Sequence, residues 1–312
     1  MDRSDGPSRT PGRSVFSAMK EKFMPNKTAI VTDTNCGLRP EEAAELGIRV
    51  IPMPVILDGE CFFEYDSISQ AEFFEALKGG AEVSTSQPAP GVIQQCWDAI
   101  LEDHEELIYI PMSAGLSGEC QTALGLAQDY GGRVRVADNR RISVTERQAA
   151  LDALSLARQG RTAAEIQAFL EADGGNSDIF VAVNTLELLK KSGRVTAAGA
   201  ALGAMLSIKP VLRIQGGKLD AYRKVRGMRC AMQAMIEGLQ EDAQRLEGPL
   251  TVRAAYAGDL EAGQRWRDAL QQVFPNCTVG LDHLPLSVCC HVGWGALGVG
   301  IARDNTVEAK KP

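Results

Sequence analysis

The sequence predicts an α/β protein of two lobes, the first built on a parallel sheet and the second on a mixed one. Three observations predict it. In the first half of the chain, short apolar runs alternate with segments of helix length, the pattern of strands joined by crossover helices. Beyond residue 177 that alternation breaks, and two apolar runs meet at Gly216-Gly217, a hairpin signal that brings an antiparallel pair into the second half. The chain has 312 residues, long for one compact core and comfortable for two.

Residues 1–26 are rich in Ser, Pro, Gly and Arg and read as a disordered extension with no apolar stretch of the kind a secretion signal needs. The run from Thr28 to Asp33 is a strand ending in a turn, and Pro40 suits the first turn of the helix that follows. Residues 48–57 read as extended, with Pro52 and Pro54 pushing part of that run to a sheet edge. A helix is expected near 69–78. The unit then recurs: a strand at 83–84 with a helix to about 103, a strand at 106–112 with a second helix, and a strand at 134–138 with a long helix over 141–159. The first lobe is expected over 27–165 and the second over 166–312. Within the second lobe come a helix at 162–172 spanning the boundary, a strand at 179–183 and helical segments through Leu206. Strands at 208–214 and 218–223, a helix at 226–246, a strand at 250–257 and a helix at 260–272 follow, then strands at 277–282 and 297–302.

A formal charge of −7 opposes nonspecific binding to nucleic acid, and an aromatic fraction of 5% is low for stacking bases. Eight cysteines occur without a C-x-x-C pair, so neither a zinc site nor a disulfide scaffold is indicated, and reduced thiols in the cytoplasm are expected. No apolar run is long enough to span a bilayer as a helix.

In a parallel α/β sheet, ligands bind in the crevice beyond the carboxyl ends of the strands. Three such turns carry hydroxyls: Thr32-Asp33-Thr34, Thr85-Ser86, and Ser113 with Ser117. A carboxylate offers about four lone-pair sites, which hydroxyl and backbone N–H groups satisfy without a buried cation. Taken singly, each of these residues is as well explained as a helix cap. Gly115-Leu116-Ser117-Gly118-Glu119 lacks the second glycine of a nucleophile elbow, and of the three histidines only His291 is placed to serve a serine. Gly293-Trp294-Gly295-Ala296-Leu297-Gly298 satisfies G-x-G-x-x-G, but too little chain follows it for a dinucleotide unit, so it reads as a glycine-rich turn. Lys190, Lys191 and Arg194 cluster at a glycine turn after a helix, with Arg194 a candidate for closing a carboxylate site. Small and aliphatic residues follow, among them Ala201, Leu202, Met205 and Ile208, which leave room for an apolar tunnel.

Together these segments resemble the DegV family, the fatty-acid-binding subunit of bacterial fatty acid kinase, from about Lys27 to Ala302. The marks are Thr32-Asp33-Thr34, Thr85-Ser86-Gln87-Pro88, the stretch from Ser113 to Gly118, the stretch from Leu189 to Arg194, that from Ile208 to Leu212, and His291-Val292-Gly293-Trp294-Gly295. The resemblance implies a two-lobed fold that buries a long-chain fatty acid and presents its carboxylate to a separate ATP-dependent kinase subunit for phospholipid synthesis. Thr85, Ser117, Arg194 and His291 would lie at the carboxylate, with Ser86 and Ser113 close by, and the chain would run past Ala201, Leu202, Met205 and Ile208. No metal, no cofactor and no catalytic residue is implied. Ala114, Asn139 and Trp294 depart from the family's usual serine, serine and proline. The alternatives are a small-molecule enzyme, either a Ser117/His291 hydrolase or a relative of dihydroxyacetone kinases, and a protein with a purely structural or regulatory role.

Overall fold

The computed structural model describes residues 27–200 and 208–306. The N-terminal extension and the candidate tunnel residues Ala201, Leu202 and Met205 lie outside the described residues. Strands are numbered along the chain. Thr28–Asp33 (β1), Ile48–Ile51 (β2), Glu106–Ile110 (β6) and Val134–Val136 (β7) form a parallel sheet in the order β2-β1-β6-β7. Both β1 and β6 are buried almost throughout, as an interior parallel strand covered on two faces must be. The helix Ala163–Asp173 covers one face, where its Ile166 and Leu170 bury with Ile30 and Ile108.

Ser177–Ala182 (β8), Ile208–Gln215 (β9), Lys218–Arg226 (β10), Leu250–Tyr256 (β11), Gly280–His283 (β12) and Leu297–Arg303 (β13) form a mixed sheet in the order β10-β9-β8-β13-β11-β12. Only β11 and β12 run parallel. The expected hairpin closes at Gly216-Gly217, both in the left-handed region at φ 69° and 87°. The protein is thus α/β with a parallel sheet followed by a mixed one.

One expectation is corrected. The strand leading to Thr85 does not extend the parallel sheet: Val83–Thr85 (β5) pairs antiparallel with Pro54–Leu57 (β3), which also pairs with Glu60–Phe63 (β4). Asp58-Gly59, a two-residue turn with φ 48° and 87°, joins β3 to β4, and the run expected over 48–57 divides at Pro52 into β2 of the parallel sheet and β3 of this small antiparallel one. The segment before His291, to which the sequence assigned no element, is a helix, Leu286–Val292, opened after Pro285 and ended by Gly293 at φ 74°.

The helix Ser143–Arg158 links the layers. Twelve of its 16 residues are buried. Its Ala149, Ala150 and Ala153 pack under β1 and β6, while Val144 and Thr145 press on β13 where Gly300 offers no side chain. A Cβ at Gly300 would collide with the Val144 side chain, so this glycine sets how closely helix and sheet approach.

At the carboxyl end of the parallel sheet, Asp33, Glu119 and Glu146 are each fully buried, and none forms an ion pair among the described residues. Asp33 accepts from the backbone N–H groups of Asn35 (2.7 Å) and Met112 (2.8 Å), Glu119 accepts from the Tyr109 hydroxyl, and Glu146 accepts from Thr32 Oγ1 at 3.0 Å. Burial pushes the Asp33 carboxyl up to about 6, and burial together with the nearby Asp33 charge raises Glu119 and Glu146 well above the ordinary range. An acid whose folded pKa lies above its unfolded value binds its proton more tightly when folded. Its contribution is therefore fully present below the unfolded pKa and is lost as pH rises through the folded one. For Asp33 the window runs from 3.8 to about 6. Urea unfolding is expected to show higher stability at pH 5 than at pH 7.5, by on the order of 1 kcal/mol from Asp33 alone. Glu146→Gln, which keeps the acceptor for Thr32 and removes one titration, is expected to reduce that difference. Equal midpoints at the two pH values would show that these acids ionise freely in the folded chain.

Candidate ligand site

A cavity enclosing about 900 Å³ of space, part of it open to solvent, lies between the three sheets. Its walls come from both halves of the chain: Met53, Met112 and Ile142 on one side, Ile179, Val181 and Ile214 on the other. Most of the exposed surface inside is apolar. Thr85, Ser86, Ser117, Arg194 and His291 all reach this one cavity.

Each of these side chains is delivered by identifiable local structure. Thr85 is the last residue of β5, opposite Val55 of β3, and Ser86 continues that edge through its N–H to Pro54 O at 3.3 Å. The Thr85 hydroxyl lies 3.0 Å from His291 Nε2. Gly118 lies against Gln87, a Cβ there falling 3.2 Å from Gln87 Oε1, so the loop carrying Ser117 sits beside the one carrying Thr85 and Ser86. Ser117 Oγ accepts from the Glu119 backbone N–H at 3.2 Å and can still donate. Arg194 follows Gly193, whose left-handed φ of 69° ends the helix Glu187–Ser192, and its guanidinium donates to Ser192 O at 2.6 Å. Arg194 is exposed, so its charge is offered at the mouth with most of its donors unused.

His291 is held neutral. Burial, and secondarily the positive charge of Arg194, bring its pKa down to about 4. Its Nδ1 is buried without a hydrogen-bond partner among the described residues. A serine hydrolase requires a carboxylate or carbonyl to orient that nitrogen and a serine on the other, whereas here Nε2 faces Thr85 and Nδ1 has no such partner among the described residues. Two hydroxyl loops, a neutral imidazole and a peripheral guanidinium around an apolar cavity can hold a small anionic group whose remainder is hydrocarbon.

Two expected residues fall elsewhere. Ser113 is 1% exposed and absent from the cavity wall, because its hydroxyl is turned away to donate to Gly217 O at 2.9 Å and accept from Gly115 N at 3.1 Å. It fastens the β9–β10 hairpin tip to the loop after β6. Ile208 opens β9 opposite Arg226, at the end of the hairpin remote from Gly216-Gly217, and does not line the cavity. Ala201, Leu202 and Met205 cannot be placed, being outside the described residues.

Sequence reasoning missed Asn35, Ser143 and Ser287, which also line the cavity. Ser287 lies four residues before His291, and that spacing would have marked it once the helix Leu286–Val292 was recognised. Asn35 stood next to the Thr32-Asp33-Thr34 turn. Ser143 carried no signal.

A family model described as uncharacterised proteins of the DegV family matches residues 27–304. This chain belongs to the DegV family. A DegV domain-containing protein of Deinococcus radiodurans is 32% identical over 274 residues, covering 88% of this chain and 97% of that protein. A Listeria innocua DegV domain-containing protein is 30% identical, with 88% and 98% covered. Among solved structures, a Thermus thermophilus DegV protein described by its fatty acid binding superposes with a TM-score of 0.81 at 29% identity, covering 88% of this chain and 99% of its own. Bacillus subtilis DegV superposes with a TM-score of 0.79 at 24% identity, covering 88% and 99%, and supports the same DegV fold.

The neutral state of His291 can be checked directly. Its imidazole is expected to titrate near pH 4 by NMR, and Arg194→Gln is expected to move that titration upward while burial keeps it below the ordinary histidine value. A titration at or above 6.5 would mean that the ring is solvated and the site open.

Proposed function

We propose that the cavity binds a long-chain fatty acid, carboxylate at the mouth and hydrocarbon inside, and that the chain presents that carboxylate to a separate ATP-dependent kinase subunit for acyl-phosphate formation. The single observation that carries the reading is the convergence of Thr85, Ser117, Arg194 and His291 on one apolar cavity. The Thermus thermophilus relative, described by its fatty acid binding, supports it. All eight cysteines are free thiols, which suits a reducing cytoplasm. No helix among the described residues is long and apolar enough to cross a membrane.

The energetics assign different tasks to the two ends of the ligand. At about 0.8 kcal/mol per buried methylene, about 15 methylenes contribute on the order of 12 kcal/mol before the costs of association are subtracted. The polar end adds less and fixes direction. Hydroxyls hold a carboxylate without neutralising it, so an oxygen facing the mouth keeps the charge a phosphoryl acceptor needs. With Arg194 exposed beside that oxygen, a partner bringing ATP meets a cation already in place.

Native mass spectrometry of the full chain is expected to show an adduct of fatty-acid mass that organic extraction removes. Thr85→Ala with Ser117→Ala is expected to weaken rebinding about tenfold, the loss of roughly one charge-assisted hydrogen bond. Rebinding at full strength would mean that these hydroxyls do not hold the carboxylate. Mixed with ATP alone, the loaded protein is expected to make no acyl phosphate, and product is expected only when a kinase subunit is added; product from the protein alone would refute the presenter role.

A further inference from the structure

Part of the cavity wall is polar where a plain hydrocarbon chain needs it to be apolar. Asn35, Ser143 and Ser287 line the cavity alongside Met53, Met112 and Ile142. Ser287 Oγ donates to Asn35 Oδ1 at 2.6 Å, and the Asn35 amide is anchored on Asp33 Oδ1 at 2.6 Å and on Met112 Sδ at 3.1 Å. These two groups form a fixed pair whose hydroxyl oxygen still has lone pairs to offer. Ser143 differs. It is only 7% exposed, and its hydroxyl makes no hydrogen bond with any described residue.

Ser143 also occupies an uncommon backbone conformation. Its φ is 55°, in the left-handed region that favours glycine, at the first turn of the helix Ser143–Arg158. A serine is held there against its conformational preference, with its hydroxyl on a greasy cavity and unpaired. The Ser143 oxygen keeps access to the cavity space rather than being sealed in protein, so a ligand atom able to hydrogen-bond can reach it.

The position of this patch relative to the mouth follows from helix geometry. Ser287 and His291 lie four residues apart on one helix face, a rise of about 6 Å. A chain whose carboxylate sits by His291 therefore passes the patch within its first several carbons. We infer that the cavity prefers a fatty acid bearing an oxygen substituent on that proximal stretch, a hydroxy acid, whose hydroxyl bonds to Ser143 and Ser287. The inference rests on the fatty-acid reading above and goes further in naming the class of acid.

The test compares hexadecanoic acid with its 3-hydroxy and 5-hydroxy derivatives as competitors for the delipidated full-length protein. At least one hydroxy acid is expected to bind about tenfold more tightly than the plain acid, the worth of one satisfied buried hydroxyl. Ser143→Gly, which keeps the left-handed backbone, combined with Ser287→Val is expected to bring the affinities for the three acids within twofold of one another. Equal binding of all three acids by the unaltered protein would overturn the inference and leave the fatty-acid reading standing, as would a preference that survives in the double variant. If none of the acids binds, the fatty-acid reading itself fails and takes the inference with it.

Discussion

Everything in this molecule depends on the helix Ser143–Arg158 being packed on both sides. One flank is alanine-rich and lies under the parallel sheet; the other meets β13 at Gly300, with no side chain between. Its polar residues are tied down as well. Gln148 bonds to Asp152 at 2.8 Å, Asp152 receives the backbone and amide N–H groups of Asn305, and just before the helix Arg141 pairs with Asp173 at 2.8 Å. Buried polar groups tolerate little displacement once their partners are fixed. The separation of the two larger sheets is thereby set, and with it the width of the space beside the helix N-terminus where Ile142, Ser143 and Val144 form part of the cavity wall.

Within that space the chemistry is that of restraint rather than reactivity. His291 is neutral, Thr85 occupies its outward nitrogen, and the cation stands at the rim. In the proposed reading, apolar walls supply affinity and the hydroxyls supply direction, a division that leaves the anionic end of a ligand intact. The acids buried at the carboxyl end of the parallel sheet belong to the scaffold: Asp33 spends its oxygens on the turn that carries Asn35 and on the strand end at Met112. Its motif, Thr32-Asp33-Thr34, shapes the crevice from below and sends Asn35 into it.

The fold was legible in the sequence wherever period and punctuation agreed. Alternating apolar runs marked β1, β6 and β7, and Gly216-Gly217 marked the β9–β10 hairpin. Legibility failed where one apolar run served two sheets: residues 48–57 divide into β2 and β3, and it is β3 that pairs antiparallel with the strand carrying Thr85, which the alternation of strands and helices had assigned to the parallel sheet. The hydroxyl residues of the cavity wall at Thr85, Ser86 and Ser117 were readable because hydroxyls after strands are few. Ser113 was indistinguishable from Ser117 by type, and only the long-range bond to Gly217 separates them. The apolar wall was not readable, since Met53, Met112, Ile179 and Ile214 come from four separate elements and look like any core residue.

That Ser113–Gly217 bond has a mechanical implication. It stitches the tip of the hairpin to the first half of the chain at a point buried from water, where a broken bond would strand both partners without solvent to replace them. The protein therefore resists parting along that seam. Breathing that admits a bulky guest is cheaper where Ser86 and Arg194 already stand in water, so entrance and exit share that one doorway.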